Sequence, residues 1–156
     1  MKKSPKVHQS GSRAAIGSTR LIRHLAWFRY QLRQFLRFSE QAARACSVTP
    51  QQHQLLLGVA GYTGRGWATI SELAEFLQER HNAVVGLVER AARRGLVRKE
   101  PGPSDRRFVR VHLTRSGEMT LSKLAQLHRE ELARVQAQIL TVGRSRPRRL
   151  RQSKGA

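Results

Sequence analysis

Arg80-His81-Asn82 sets three side chains of different hydrogen-bonding character in a row, just ahead of an apolar stripe formed by Val84, Leu87, Val88 and Ala91. An asparagine amide can meet adenine with two parallel hydrogen bonds, and an arginine can do the same for guanine. Arg90, Arg93 and Arg94 follow within the same stripe-bearing segment, and their fixed positive charge suits phosphate oxygens. A second basic cluster lies between two alternating runs, Leu96–Glu100 and Phe108–Leu113. It comprises Arg106 and Arg107, preceded by Asp105 in Pro101-Gly-Pro-Ser-Asp-Arg-Arg107, with Arg98 and Arg110 in the runs themselves. Base edges for the first cluster and sugar-phosphate backbone for the second is the chemistry these residue types allow. Two plainer uses stand beside it: His81 and Asn82 can cap the helix they begin, and Asp105 can pair with Arg106 or Arg107 within a turn.

Other chemistries find little support. The six histidines (His8, His24, His53, His81, His112, His128) show no short metal-ligand spacing, and neither an HExxH nor a CxxC accompanies them. The ten acidic residues are scattered along amphipathic segments rather than paired. Gly64-Arg65-Gly66 is too short for a phosphate-cradling loop and lacks its Lys-Ser/Thr end. Cys46, the single cysteine, lies on an apolar seam where thiols usually serve as inert filling. The expectation is therefore no enzyme, no cofactor and no metal.

Charge points the same way. Thirty Lys and Arg against ten Asp and Glu leave the 156-residue chain at +20. Residues 1–20 carry five bases and residues 141–156 six, with no acid in either, so the middle holds 19 bases against its ten acids and is basic as well. A polyanion is the natural partner for such a field, because neutralised phosphates release their counterions. No apolar run approaches the ~20 residues of a membrane-spanning helix. The lysines near the start are not followed by an apolar stretch, so a cytoplasmic, nucleoid-associated location is expected.

The elements that must position these groups can be read in order. Residues 1–18 lack periodicity and suggest a flexible basic arm. Leu21, Leu25, Phe28, Leu32, Phe35, Ser39, Ala42 and Cys46 repeat in 4-3-4-3 steps, the seam of coiled-coil-like packing. Thr49-Pro50 ends that helix and caps the next, whose inner stripe is expected at His53, Leu56, Leu57 and Ala60. A loop over Gly61–Gly66 leads to a third helix, capped by Ser71, with Ile70, Leu73, Ala74 and Leu77 inside. A turn at Gln78-Glu79-Arg80 opens the fourth, which closes at Gly95. The two alternating runs form a hairpin, and Thr114 caps a last helix with Leu121, Leu124, Leu127, Leu132, Val135 and Ile139 inside.

Three stretches then resemble one family. Thr69-Ile-Ser-Glu-Leu-Ala-Glu-Phe-Leu77, Asn82 through Val97, and Pro103-Ser-Asp-Arg-Arg107 followed by Val109-Arg-Val-His-Leu-Thr-Arg-Ser-Gly117 are similar to the helix-turn-helix and wing of the MarR family of bacterial transcriptional regulators. The resemblance implies a mainly α fold with a small β-hairpin wing, a winged helix-turn-helix plus a helical dimerisation region. The domain boundaries that follow are 1–18 for the arm, 19–140 for the MarR-like domain and 141–156 for a basic disordered tail. Within the domain, 19–48 and 115–140 are the dimerisation helices and 49–114 the winged helix-turn-helix. The resemblance also implies that Asp105 structures the wing and that Arg107 enters the minor groove, with Arg98, Arg106 and Arg110 on the DNA backbone. Double-stranded DNA, a second copy of the chain and a small aromatic effector, with Trp27, Phe28, Tyr30 and Trp67 as candidate pocket residues, are the implied partners. The chain departs from the family pattern after Ile139, where an arginine-rich tail stands in place of a further helix. The expected function is sequence-specific regulation, as a repressor at a pseudo-palindromic site. The alternative is a nucleoid-associated architectural protein with little sequence preference.

Overall fold

The computed structural model describes residues 11–62, 64–102 and 108–142, with side-chain environments for 19–62, 64–102 and 108–137. Residues 1–10, 63, 103–107 and 143–156 lie outside the description, and with them fall the expected disordered tail beyond Val142 and the expected wing-tip residues Asp105, Arg106 and Arg107.

Among the described residues, five α-helices and three strands follow in the order α1 (Gly11–Ala45), α2 (Pro50–Leu57), a π-helical turn (Gly58–Tyr62), β1 (Trp67–Thr69), α3 (Ile70–Leu77), α4 (His81–Arg93), β2 (Val97–Pro101), β3 (Val109–Leu113) and α5 (Arg115–Val142). The chain divides into two compact units, Arg37–Glu131 on one hand and the residues up to Leu36 with those from Leu132 on the other. The fold is a winged helix-turn-helix: mostly helical, with a small three-stranded antiparallel wing.

The Arg37–Glu131 unit holds the core. Leu55, Leu56 and Val59 from α2 and its π-helical extension meet Leu73 of α3, and Val84, Leu87, Val88 and Ala91 of α4. Ala42, Ala43, Val48, Leu96, Val97, Val111 and Leu124 complete it. Helix α2 buries His53 and Leu56 as expected, but Leu55 is buried in place of Leu57, which is 39% exposed. A run of three leucines does not by itself tell which one faces out.

Helix ends are closed by identifiable devices. Thr49 accepts from the Gln52 amide while Gln52 reaches back to the Thr49 amide, a reciprocal cap with Pro50 at the first helical position. Helix α3 uses the same device through Thr69 and Glu72 rather than the expected Ser71. The reason is spacing: Glu72 sits three residues after Thr69, whereas three after Ser71 is Ala74. Helix α4 ends with the Gly95 amide on the Ala92 carbonyl and the Leu96 amide on that of Ala91, with Gly95 at φ 68°.

The wing has a strand that the sequence did not reveal. The order is β1-β3-β2, with Ala68 opposite Val111 and Lys99 opposite Val111 on the other side. β1 is three residues long, too short for an alternation to register, and the expected Gly61–Gly66 loop gives way at its start to the π-helical turn. The Leu113-Thr114-Arg-Ser-Gly117 motif is explained by geometry. The Thr114 hydroxyl donates to the Gly95 carbonyl and accepts from the Gly117 amide at 3.1 Å, which ties the start of α5 to the end of α4. A Cβ on Gly117 would come within 2.0 Å of the Leu96 carbonyl oxygen, so only glycine fits.

The other unit is described by its helical segments. Residues 11–18, expected in the arm, are helical as the first turns of α1; Ala14, Ala15 and Ile16, with no proline between Pro5 and Pro50, favour that outcome. Among the described residues, Leu21, Ile22, Leu25, Phe28, Leu32 and Leu36 of α1 are all exposed, from 42 to 63%. No helix among the described residues is long and apolar enough to cross a membrane.

Candidate nucleic-acid interface

Helix α4 is the second helix of the helix-turn-helix, and its amphipathicity decides what it presents. Val84, Leu87, Val88 and Ala91 are buried against α2, α3 and the sheet. Between these positions, His81, Asn82, Val85, Glu89, Arg90 and Arg93 are exposed. The tight turn that aims this face is made by Gln78 in the left-handed conformation, φ 54°, with the Glu79 amide on the Ala74 carbonyl. Arg80 is the cap residue of α4, and its carbonyl accepts from the amides of Ala83 and Val84, with no side chain capping the helix. His81 and Asn82 are therefore not spent as caps; they stand exposed on the first turn.

Two hollows flank α4. One is lined by Gln51, Glu79, Asn82, Ala83, Gly86 and Arg90. The other, of about 200 Å3, runs between α4 and the wing past Ser71, His81, Val85, Glu89, Lys99 and Phe108. Asn82 and Arg90 thus face one side of the helix axis and His81 the other.

The sheet sorts the remaining basic residues by face. Strand alternation puts Val97, Lys99 and Val111 on the side of α4, with Lys99 bonded to the Glu89 carboxylate. Arg98, Glu100, Arg110 and His112 lie on the opposite side with Trp67. There Arg98 pairs with Glu100 at 2.9 Å, and the guanidinium groups of Arg65 and Arg110 lie over the Trp67 ring at 3.8 and 4.6 Å from its centre. Burial, with the Arg98 charge beside it, lowers the His112 pKa. Burial raises that of Glu72, but the Thr69 amide and the Arg65 guanidinium outweigh it, and the net shift is downward. Hydrogen bonding to Lys99 lowers that of Glu89.

Of the sequence-derived residues, the structure brings Arg80, His81, Asn82, Arg90 and Arg93 to one exposed helix and its cap. It places Arg98 and Arg110 on the far face of the wing. Arg94 is engaged elsewhere: its guanidinium donates to the Ser47 carbonyl at 2.6 Å and to Gln52 Oε1 at 3.1 Å, holding the α1–α2 connection against the end of α4. Lys99, Phe108 and Val85 belong to the α4 side and were missed. Lys99 shares its parity with buried Val97, a signal the charge count passed over.

The other candidates resolve separately. Trp27 stacks on Tyr30 within α1, with ring centres 5.4 Å apart, while Trp67 is taken up by the two guanidinium groups. Cys46 is half-buried and free. His53 and His128 are buried with ring centres 5.0 Å apart, and the edge of Phe38 meets His128. Burial and the neighbouring His128 lower the His53 pKa to about 4. Among the described residues no three His, Cys, Asp or Glu side chains gather to hold a metal.

A sheet-flanked helix-turn-helix with an exposed polar second helix defines the winged helix class. The family model described as "MarR family" matches residues 47–107. The M. tuberculosis transcriptional regulator MosR, solved in complex with DNA, is 30% identical, with 70% of this chain and 77% of that chain covered and a TM-score of 0.55. AbsC, a MarR family transcriptional regulator from Streptomyces coelicolor, is 19% identical over 87% of this chain and 84% of its own, with a TM-score of 0.61. A mutant of E. coli MarR complexed with operator DNA is 20% identical over 78% and 94%, with a TM-score of 0.57. No curated protein matches. The chain belongs to the MarR family.

Proposed function

We propose that the chain is a sequence-specific, DNA-binding transcription regulator that acts as a homodimer and represses by occupying a pseudo-palindromic site. One observation carries this: α4 buries its apolar stripe inside its own unit and turns Asn82, His81, Arg90 and Arg93 outward. Its first turn, where a recognition helix reads base edges, holds the amide and imidazole, and its last turns hold the guanidinium groups. The DNA-bound relatives support the same use of the fold.

In this proposal Asn82 reads adenine in the major groove, with Arg80 and His81 beside it, and Arg90 and Arg93 take phosphates. Arg106 and Arg107, from the segment joining β2 and β3, serve the minor groove and its backbone, with Asp105 structuring that segment. Arg98 and Arg110 act at longer range, as part of the protein's positive field. The exposed stripe of α1 is the self-association surface. A small aromatic effector would fit the hollow of about 430 Å3 lined by Ala60, Arg98, His112, Leu113, Glu118 and Leu121.

The +20 charge favours a second use, architectural binding with little sequence preference. Selection of bound duplexes from a random library separates the two. Regulation predicts convergence on inverted half-sites about 10 base pairs apart, with an adenine whose requirement is lost in Asn82→Ala. A library that never converges would support the architectural use.

A further inference from the structure

The exposed face of α4 is polar at both ends and apolar in the middle. His81 and Asn82 occupy the first turn, and Arg90 the third, with Glu89 committed to Lys99. Between them Val85 is 37% exposed and Gly86 offers no side chain at all. Phe108, 60% exposed, continues the apolar surface across the hollow that Val85 shares with the wing.

Gly86 is not there because the fold demands it. A Cβ at Gly58 would strike Phe76 and Leu73 at 2.8 and 2.9 Å, and one at Gly117 would strike backbone at 2.0 Å. At Gly86 it would meet only the far end of the Arg90 side chain, at 3.3 Å, and the backbone there is ordinary right-handed helix. A glycine inside a helix costs roughly 1 kcal/mol relative to alanine, so this one weakens α4 without easing any packing. Its consequence is a gap between the hollow that Gly86 shares with Asn82 and Arg90 and the hollow that Val85 lines, with the end of the Arg90 side chain beside it.

On the major-groove edge of the base pairs the one methyl group is that on thymine C5; most other positions offer a donor or acceptor that an apolar surface would leave unpartnered. We infer that Val85 and the gap at Gly86 form a thymine-methyl pocket, one turn beyond the adenine-reading Asn82, so that each half-site requires a thymine at a fixed distance from that adenine. This rests on α4 being the base-reading helix.

The test uses the full-length protein and the duplex recovered by selection, with and without replacement of thymine by deoxyuridine, which removes only the methyl. Wild type should bind the deoxyuridine duplex about fourfold more weakly per half-site, about fifteenfold over two. Val85→Ala should bind both duplexes alike. Gly86→Ala should melt at or above the wild-type temperature and yet bind the thymine duplex no better than the deoxyuridine one. Equal wild-type affinity for the two duplexes would overturn the pocket, as would a preference that survives in Val85→Ala. Failure to bind any duplex better than a scrambled one would overturn the DNA reading of α4 and the pocket with it.

Discussion

Helices α4 and α1 treat their apolar residues in opposite ways. In α4, Val84, Leu87, Val88 and Ala91 are buried within the unit that contains them, and what remains outside is amide, imidazole and guanidinium. In α1, the stripe from Leu21 to Leu36 is as regular, yet Leu21 and Ile22 are 59 and 63% exposed. The first helix is finished by its own fold. The second carries a contiguous apolar face of the kind that marks an association surface, which is why the proposed homodimer is placed there and the proposed DNA contact on α4.

The largest effects should come from breaking this contrast at α1. Leu25→Glu with Leu32→Glu places two charges in the exposed stripe, at positions that are not part of the buried core cluster. Light scattering should show a dimer becoming a monomer, and affinity for a two-half-site duplex should fall by two orders of magnitude or more while the circular dichroism is kept. At α4, Leu87→Ala should instead destabilise the fold by about 3 kcal/mol, read from the denaturant midpoint, because it leaves a cavity in a closed core. If Leu87→Ala shifted association and the α1 pair shifted stability, the assignment of roles would be reversed.

The buried histidine pair gives the next effect. His53 folded holds its proton only below about 4, whereas unfolded it does so below 6.5. The unfolded chain therefore binds more protons between those values, and stability is full above 6.5 and falls as pH drops toward 4. The loss is on the order of 2 kcal/mol after solvent screening, and urea melts at stepped pH should flatten across that window in His53→Met.

Arg93 and Arg94 are sequence neighbours with opposite tasks, and their effects are the smallest. Arg94→Ala should cost about 1 kcal/mol of stability through its lost bonds to Ser47 and Gln52, without altering the salt dependence of DNA binding. Arg93→Ala should leave stability unchanged and reduce the salt slope by about 1.

That pair also shows what the sequence could convey. Periodicity located the α4 stripe, and Gly95 and Thr114 announced their caps, because each rests on a local backbone requirement. Which arginine reaches outward depends on contacts from distant segments: Ser47 and Gln52 claim Arg94, and Glu100 claims Arg98. β1 was invisible because its three residues become a strand only through β3, and Thr69 was passed over as a cap because Ser71 also looked suitable. Asp105, Arg106 and Arg107 rest on their charges in the sequence and on the family resemblance.

The central claim is that α4 reads sequence. Fluorescence anisotropy on the DNA upstream of the protein's own gene, against a scrambled duplex and from low to physiological salt, tests it most directly. A preference of about 10³-fold or more that persists at physiological salt is the predicted result. Affinities that stay equal and collapse together with salt would contradict it, and would mark the protein as a binder of backbone charge alone.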